Sequence, residues 1–196
     1  MKILILGANG QLAKTLKQSK PRDINLISLS RNEFNFLDLQ KDLKRIENIN
    51  PTHIINAAAY TDVDKAESEE DIAKQINAYA PFEIASKFDS SNCKFIHITT
   101  DCVYNGFKGN YSPNDNHTTN TIYGITKSLG EGGKAVRNVI KSANALTIGK
   151  ISGPVAMLEE AIPGIITGDH VGPLSNVAKS GGKTNGFFLS IKNSSP

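Results

Sequence analysis

The chain has no tryptophan and only two cysteines among its 196 residues. Cys93 and Cys102 have no His or Cys neighbours at zinc-site spacing, and two thiols cannot make a disulfide framework. That excludes a metal finger and a stapled scaffold, leaves no metal site to expect, and points to a reducing compartment. Long apolar runs are missing too. The run Ile3-Leu4-Ile5-Leu6 meets Gly7 too soon for the apolar stretch of a signal peptide, and nowhere do 18 apolar residues follow one another. A cytoplasmic protein with no membrane partner is expected. Nor does one sign of charge dominate: 22 basic and 19 acidic residues are interspersed for a net +3, so no basic stripe offers itself to nucleic acid. A metabolic role fits that balance better. The length suits one domain with a small appendage, able to bury roughly 70% of its unfolded surface.

What is present begins with Ile3-Leu4-Ile5-Leu6, an unbroken apolar run of the kind buried on both faces of a parallel sheet. Gly7-Ala8-Asn9-Gly10 follows at once, and a helix is predicted from about Gln11. A strand, a glycine turn and a helix form the arrangement that binds phosphate: Gly7 permits the tight turn, Gly10 lets backbone approach a pyrophosphate, and the first helical amides supply donors. A plain strand-to-helix turn is the competing reading, and the position directly after an N-terminal strand favours dinucleotide binding. A second strand is predicted over 24–29, ending at Ser30-Arg31. There an acidic residue suits a ribose 2′-hydroxyl and an arginine a 2′-phosphate, so the pair leans towards NADP, against the blander reading of a solvated arginine. Asp38 is placed to N-cap a helix from Leu39 to about Asn48, which Pro51 closes.

His53-Ile54-Ile55-Asn56 predicts a third strand, and Ala57-Ala58-Ala59 before Tyr60-Thr61 leaves room at its carboxyl end for a flat ligand. The carboxylates of 61–67 sit at helical spacing and read as a solvated face. Two helices are predicted near 70–77 and 80–89, then a fourth strand over 94–98 in which His97 reads as a hydrogen-bonded core residue. Thr99-Thr100-Asp101 thereby falls on the same rim as the glycine turn. The breaker-rich stretch from Asn105 to Ile122 is long for a plain connection and reads as part of a substrate lid. Tyr123 and Lys127 follow on a helix reaching about Lys141, weakened by Gly130, Gly132 and Gly133. Positions four apart share a helix face, so the Lys127 ammonium can stand beside the Tyr123 hydroxyl. A free tyrosine has a pKa of about 10, and a neighbouring cation lowers it. Tyr123 is thus a candidate proton donor, Lys127 its tuner, and Thr100 a hydroxyl for the carbonyl that receives the proton. Chance also places Tyr-x-x-x-Lys on many helices, and the surrounding motifs decide in favour of chemistry.

Gly7-Ala8-Asn9-Gly10-Gln11-Leu12, the stretch from Asn56 through Glu67, Thr99-Thr100-Asp101-Cys102-Val103-Tyr104-Asn105-Gly106 and Tyr123-Gly124-Ile125-Thr126-Lys127 together resemble, in order and spacing, the extended short-chain dehydrogenase/reductases. The likeness spans roughly the first 135 residues and is greatest to members that reduce nucleotide-linked 4-keto-6-deoxysugars. It implies an α/β fold of Rossmann type, a doubly wound parallel sheet with helices on both faces. Residues 1–150 would form the NAD(P)-binding domain, and 151–196 a short divergent segment where relatives carry a substrate lobe. It implies NADPH or NADH as cofactor and hydride transfer to a C4 carbonyl. Tyr123 would protonate the alkoxide, Lys127 would lower its pKa and hold the nicotinamide ribose, and Thr100 would bind the keto oxygen with Asp101 beside it. Gly7, Gly10, Gln11, Leu12, Ser30, Arg31, Asp38, Leu39, Ala59, Tyr60 and Thr61 complete the cofactor-binding candidates, and a homodimer is the candidate assembly. The chain departs from the family pattern at Ala13, where a third glycine is common, and at Cys102, where tyrosine is common. A further strand is expected over 145–153, without the arginine that relatives place there, and no sustained helical period follows Ala161. A sugar-nucleotide epimerase or dehydratase shares the same triad, and a non-catalytic cofactor-binding subunit or incomplete enzyme is the reading from a different class.

Overall fold

The computed structural model describes residues 1–88, 92–112 and 115–132, together with the backbone of Phe187–Ile191. The continuation of the Tyr123 helix to Lys141, the strand expected over 145–153 and the boundary at 150 lie outside the described residues.

The apolar runs become parallel strands: β1 (Lys2–Leu6), β2 (Asn25–Leu29), β3 (His53–Asn56) and β4 (Lys94–Thr100). Successive strand residues face opposite sides. Leu4, Leu6 and Ile54 therefore enter one core, while Ile3, Ile5, Ile55 and Ile96 enter the other. Both faces must be covered, and the helices cover them. On the second face lies α1 (Gln11–Ser19), which contributes Ala13 and Leu16. On the first lies α2 (Leu39–Ile49), whose Leu39, Leu43 and Ile46 form an apolar stripe. Asn50 ends α2 in a left-handed conformation, φ 48°, returning its amide to the Ile46 and Glu47 carbonyls, and Pro51 prevents continuation.

The strand order is β2-β1-β3-β4, with β5 (Phe187–Ile191) paired antiparallel along the outer edge of β4. The sequence reading left β5 unassigned, because five residues, with Ser190 interrupting the apolar ones, carry no decisive period. The chain crosses from one side of β1 to the other between β2 and β3. In open α/β sheets the crevice at such a crossing, outside the strands' carboxyl ends, is where ligands bind.

The two helices expected across 70–89 are one continuous rod. It comprises α4 (Glu70–Lys74), a wide π turn (Gln75–Tyr79) and α5 (Ala80–Lys87), preceded by the short α3 (Val63–Ala66). Pro81 has no N–H for the Asn77 carbonyl, and the Ala80 amide reaches back to the Gln75 carbonyl, so the wide turn absorbs the proline without a break. Helix α6 (Ile122–Gly132) packs against this turn. Gly130, one of the glycines expected to weaken it, lets it approach, and so does Gly124. A Cβ on Gly130 would lie 2.1 Å from the Asn77 carbonyl oxygen, and one on Gly124 would lie 2.3 Å from that of Cys102.

Candidate active site

The glycine turn is held against the end of β2 by the amides of Gly7 and Ala8, which both donate to the Leu29 carbonyl at 2.9 Å. Gly7 has φ 95°, and a Cβ there would sit 2.9 Å from the Ala58 amide nitrogen, so only glycine fits. Beside the turn opens a cleft of about 320 Å³. Of the expected cofactor residues, Gly7, Gly10, Arg31, Ala59, Tyr60 and Thr61 line it, as do Ala57 and Ala58 from the stretch expected to leave room for a flat ligand; Leu6, Asn9, Phe34, Asn35, Phe36 and Ile76 also line it and were not among the candidates.

The other expected cofactor residues sit elsewhere. Leu39 is 4% exposed in the core of α2, where its apolar side chain is worth more than on the rim. Asp38 occupies the N-cap position of α2 but makes no side-chain capping bond. Leu12 packs half-buried under the sheet, and Gln11 is exposed on the first turn of α1. Ser30 is engaged locally: its amide and hydroxyl both donate to the Glu33 carboxylate, at 2.9 and 2.7 Å, within a turn closed by the Glu33 amide on the Ser30 carbonyl.

Between the cleft and α6, the Asn77 amide acts as a clamp from the π turn. Its Oδ1 accepts from the Tyr60 amide at 2.8 Å, and its Nδ2 donates to the Tyr60 carbonyl and the Thr126 hydroxyl, each at 3.1 Å. The Tyr60 hydroxyl donates to Glu69 at 2.6 Å, and that bond, with burial added, pushes its pKa up to about 12.

Thr100, Tyr123 and Lys127 are 1%, 3% and 2% exposed. Strand β4 carries Thr100 to its last position, and the 3-10 turn Asp101–Val103 then caps on it, the Cys102 amide donating to the Thr100 hydroxyl at 3.2 Å. Asp101 accepts from the same hydroxyl at 3.3 Å and itself faces solvent. Burial raises the Tyr123 pKa, a hydrogen bond with Thr100 opposes the rise, and Cys102 and Asp101 add to it. The lowering expected from Lys127 is not present in this geometry. Lys127 turns instead to the β4 backbone, Nζ donating to the Ile98 carbonyl at 2.7 Å and standing 3.5 Å from His97 Nε2.

His97 is the buried, hydrogen-bonded strand residue the sequence suggested, and it also abuts Lys127. The Ala58 amide donates to Asn56 Oδ1, which turns Asn56 Nδ2 towards His97 Nδ1 at 2.9 Å. Nδ1 must then accept, so the ring proton resides on Nε2, facing Lys127. Burial, and then the Lys127 charge, hold His97 far below its usual pKa, and it is neutral. Burial likewise lowers Lys127, while Glu131 raises it. Glu131 was missed from sequence, although Tyr123, Lys127 and Glu131 recur every four residues and so share a helix face.

The expected lid stretch is tied to this corner. The amides of Thr118 and Thr119 donate to the Val103 carbonyl, Tyr104 stacks on Tyr111 with ring centroids 4.3 Å apart, and His117 Nδ1 lies 2.6 Å from the Ser128 hydroxyl on α6.

A parallel α/β sheet with a glycine turn after β1, and a Thr, Tyr and Lys set buried where β4 meets α6, defines a Rossmann-type domain of the extended short-chain dehydrogenase/reductase class. Residues 1–152 match the family described as RmlD substrate binding domain, and the chain belongs to that family. It is 35% identical to the spore coat polysaccharide biosynthesis protein SpsK of Bacillus subtilis over 133 residues, 66% of this chain and 47% of that one. It is 36% identical to the dTDP-4-dehydrorhamnose reductase of Burkholderia thailandensis over 132 residues, 67% of this chain and 44% of that one. Among solved structures, it superposes on the dTDP-4-dehydrorhamnose reductase of Bacillus anthracis in complex with NADP with a TM-score of 0.64 at 32% identity, covering 69% of this chain and 49% of the other. The chain thus spans about half the length of the relatives it matches.

Proposed function

We propose that this chain carries the cofactor-binding and proton-donating half of an NAD(P)H-dependent reductase acting on a nucleotide-linked 4-keto-6-deoxysugar, of the dTDP-4-dehydrorhamnose reductase type. The observation that carries the reading is the shared rim: the Thr100 and Tyr123 hydroxyls meet at the end of β4, on the same edge of the sheet as the glycine turn and its cleft. The residues present fit a dinucleotide. The Gly7 and Gly10 backbone lines the cleft where a pyrophosphate would lie, and Arg31 on the cleft wall is suited to a 2′-phosphate. The reduced nicotinamide, when bound, supplies the hydride. Thr100 would orient the keto oxygen, and Tyr123 would donate its proton as that oxygen gains charge. A tyrosine whose pKa burial raises keeps its proton until then. Lys127 would hold positive charge behind the nicotinamide ribose.

The test is a fluorescence titration with NADPH and NADH, followed by addition of a dTDP-4-keto-6-deoxysugar while the nicotinamide absorbance is watched. Binding and then oxidation are expected. Tyr123→Phe should cut turnover by about 10²- to 10⁴-fold, with cofactor affinity changed less than about twofold. A wild-type chain that binds neither nucleotide sinks the reading. Binding without oxidation removes the reductase step and leaves a cofactor-binding domain.

A further inference from the structure

Glu131 takes no part in the chemistry above, yet it is a carboxylate only 6% exposed on the helix that carries Tyr123 and Lys127. It touches two other elements. The Thr99 hydroxyl donates to its Oε1, which anchors the residue next to Thr100 on β4. Its Oε2 lies 3.7 Å from His117 Nε2, on the stretch that precedes α6. A buried carboxylate is unfavourable unless something compensates it, and a buried ammonium equally so. Lys127 is 2% exposed, and the two ionisable groups are one helical turn apart. Lys127 has one good acceptor, the Ile98 carbonyl, and is faced by the His97 ring N–H, a donor opposite a donor.

We propose that Glu131 is a positioning residue: the buried counter-charge that keeps Lys127 protonated opposite His97, and the anchor that holds Thr99 and His117, and with them the end of β4 and the loop before α6, against the catalytic helix. This rests on the reading of Lys127 as the site's cation. The groups facing the pair are His97 and Thr99 from β4, and His117 and Tyr104 from the segment between β4 and α6. Burial holds His97 and His117 below their usual values and pushes Tyr104 up to about 12, so all three are neutral near pH 7. Lys127, one turn back on the same helix face, is then the positive charge that favours the ionised Glu131 carboxylate against burial.

The experiment is an NMR titration of lysine side-chain nitrogens in the full chain labelled with 15N-lysine, with Lys127 assigned by its absence from Lys127→Arg. In the wild type the Lys127 signal should show two inflections, its own and one from Glu131. In Glu131→Gln, which keeps the acceptor for Thr99 and loses the charge, the second inflection should vanish and the Lys127 midpoint should fall by about one unit or more. Amide exchange over 115–121 should also quicken in Glu131→Gln. An unchanged midpoint overturns the counter-charge role, and unchanged exchange overturns the anchoring role. If Glu131→Gln does not fold, the wild-type curve decides alone, since a single inflection overturns the proposal. NADPH titration of the same samples separates the two readings. A wild type that binds no nucleotide sinks the cofactor reading but leaves a midpoint shift standing, whereas binding with no shift sinks only the role of Glu131.

Discussion

The wall of the cleft at the ends of β1 and β3 is largely backbone and small side chains, with Gly7, Gly10, Ala57, Ala58 and Ala59 along it. The corner where β4 meets α6 is the reverse, a set of buried polar side chains: Asn56, Asn77, His97, Thr99, Thr100, Thr126, Lys127 and Glu131. A surface for a flat, charged ligand needs amides and free space, which short local motifs provide. Proton chemistry needs groups whose pKa is displaced, and displacement needs burial among partners from distant parts of the chain. Asn56 meets His97 across 41 positions, Thr99 meets Glu131 across 32, and Asn77 meets Thr126 across 49. The first region depends on its backbone path, which at Gly7 only glycine can follow. The second depends on its side-chain partners, because losing one partner strands another inside the protein.

The largest expected effect tests whether the corner depends on close approach. Gly130→Ala improves local helix propensity by about 1 kcal/mol, yet its Cβ would lie 2.1 Å from the Asn77 carbonyl oxygen. Overpacking should win, with a net loss of about 3 kcal/mol measured by urea unfolding; a gain in stability would mean α6 does not sit where described. Next comes the clamp that joins the two regions. Asn77→Ala leaves the Tyr60 amide and carbonyl unpaired, and should cost about 2 kcal/mol and weaken nucleotide binding together. A loss of stability with unchanged binding would show that the cleft does not depend on the corner.

A smaller, pH-dependent effect distinguishes a buried charge from a buried shape. Burial raises the folded pKa of Glu131 above its ordinary 4.5. Its contribution to stability is therefore complete below 4.5 and is lost as pH rises through the higher folded value. Lys127, lowered by burial from 10.5, acts in the opposite sense: its contribution is in place above 10.5 and is lost as pH falls through the lowered value. Melting temperatures taken from pH 4 upward, on the order of one unit per step, should fall towards neutrality in the wild type and stay flatter in Glu131→Gln. Parallel curves would remove Glu131 as a titrating group. The smallest effect belongs to the cleft. Arg31→Ala should weaken NADPH binding about fivefold, in line with the modest worth of exposed charge pairs, and leave NADH binding unchanged. An equal loss for both nucleotides would deny Arg31 any part in reading a 2′-phosphate.

The sequence reading was strongest where structure is set over a few residues. β1, the glycine turn, α1, α2 with its stop at Pro51, and β3 fall within a residue or two of expectation, because apolar runs, stripes and turn residues act locally. It was weaker where a distant contact decides. The break expected near Ala78 is a π turn that absorbs Pro81 and carries the Asn77 side chain to Tyr60 and Thr126, partners 17 and 49 positions away. Leu39 and Leu12, read from the family pattern as cofactor residues, serve the core. The spacing that puts Lys127 on the same face as Tyr123 says nothing of where its ammonium turns. The Ile98 carbonyl claims it, and the Tyr123 pKa rises with burial where a fall was expected.

By itself, then, the sequence determined that this is a two-faced parallel α/β domain with a phosphate-type turn after its first strand and a hydroxyl and amine set on the same rim. Those features follow from side-chain period and backbone freedom, which each short segment carries within it. Only the tertiary structure decided which ionisable groups are dry and what faces them. That outcome set the Lys127 ammonium beside the buried His97 ring and within the field of a buried Glu131, and it could not be read locally because desolvation and pairing are properties of the assembled interior.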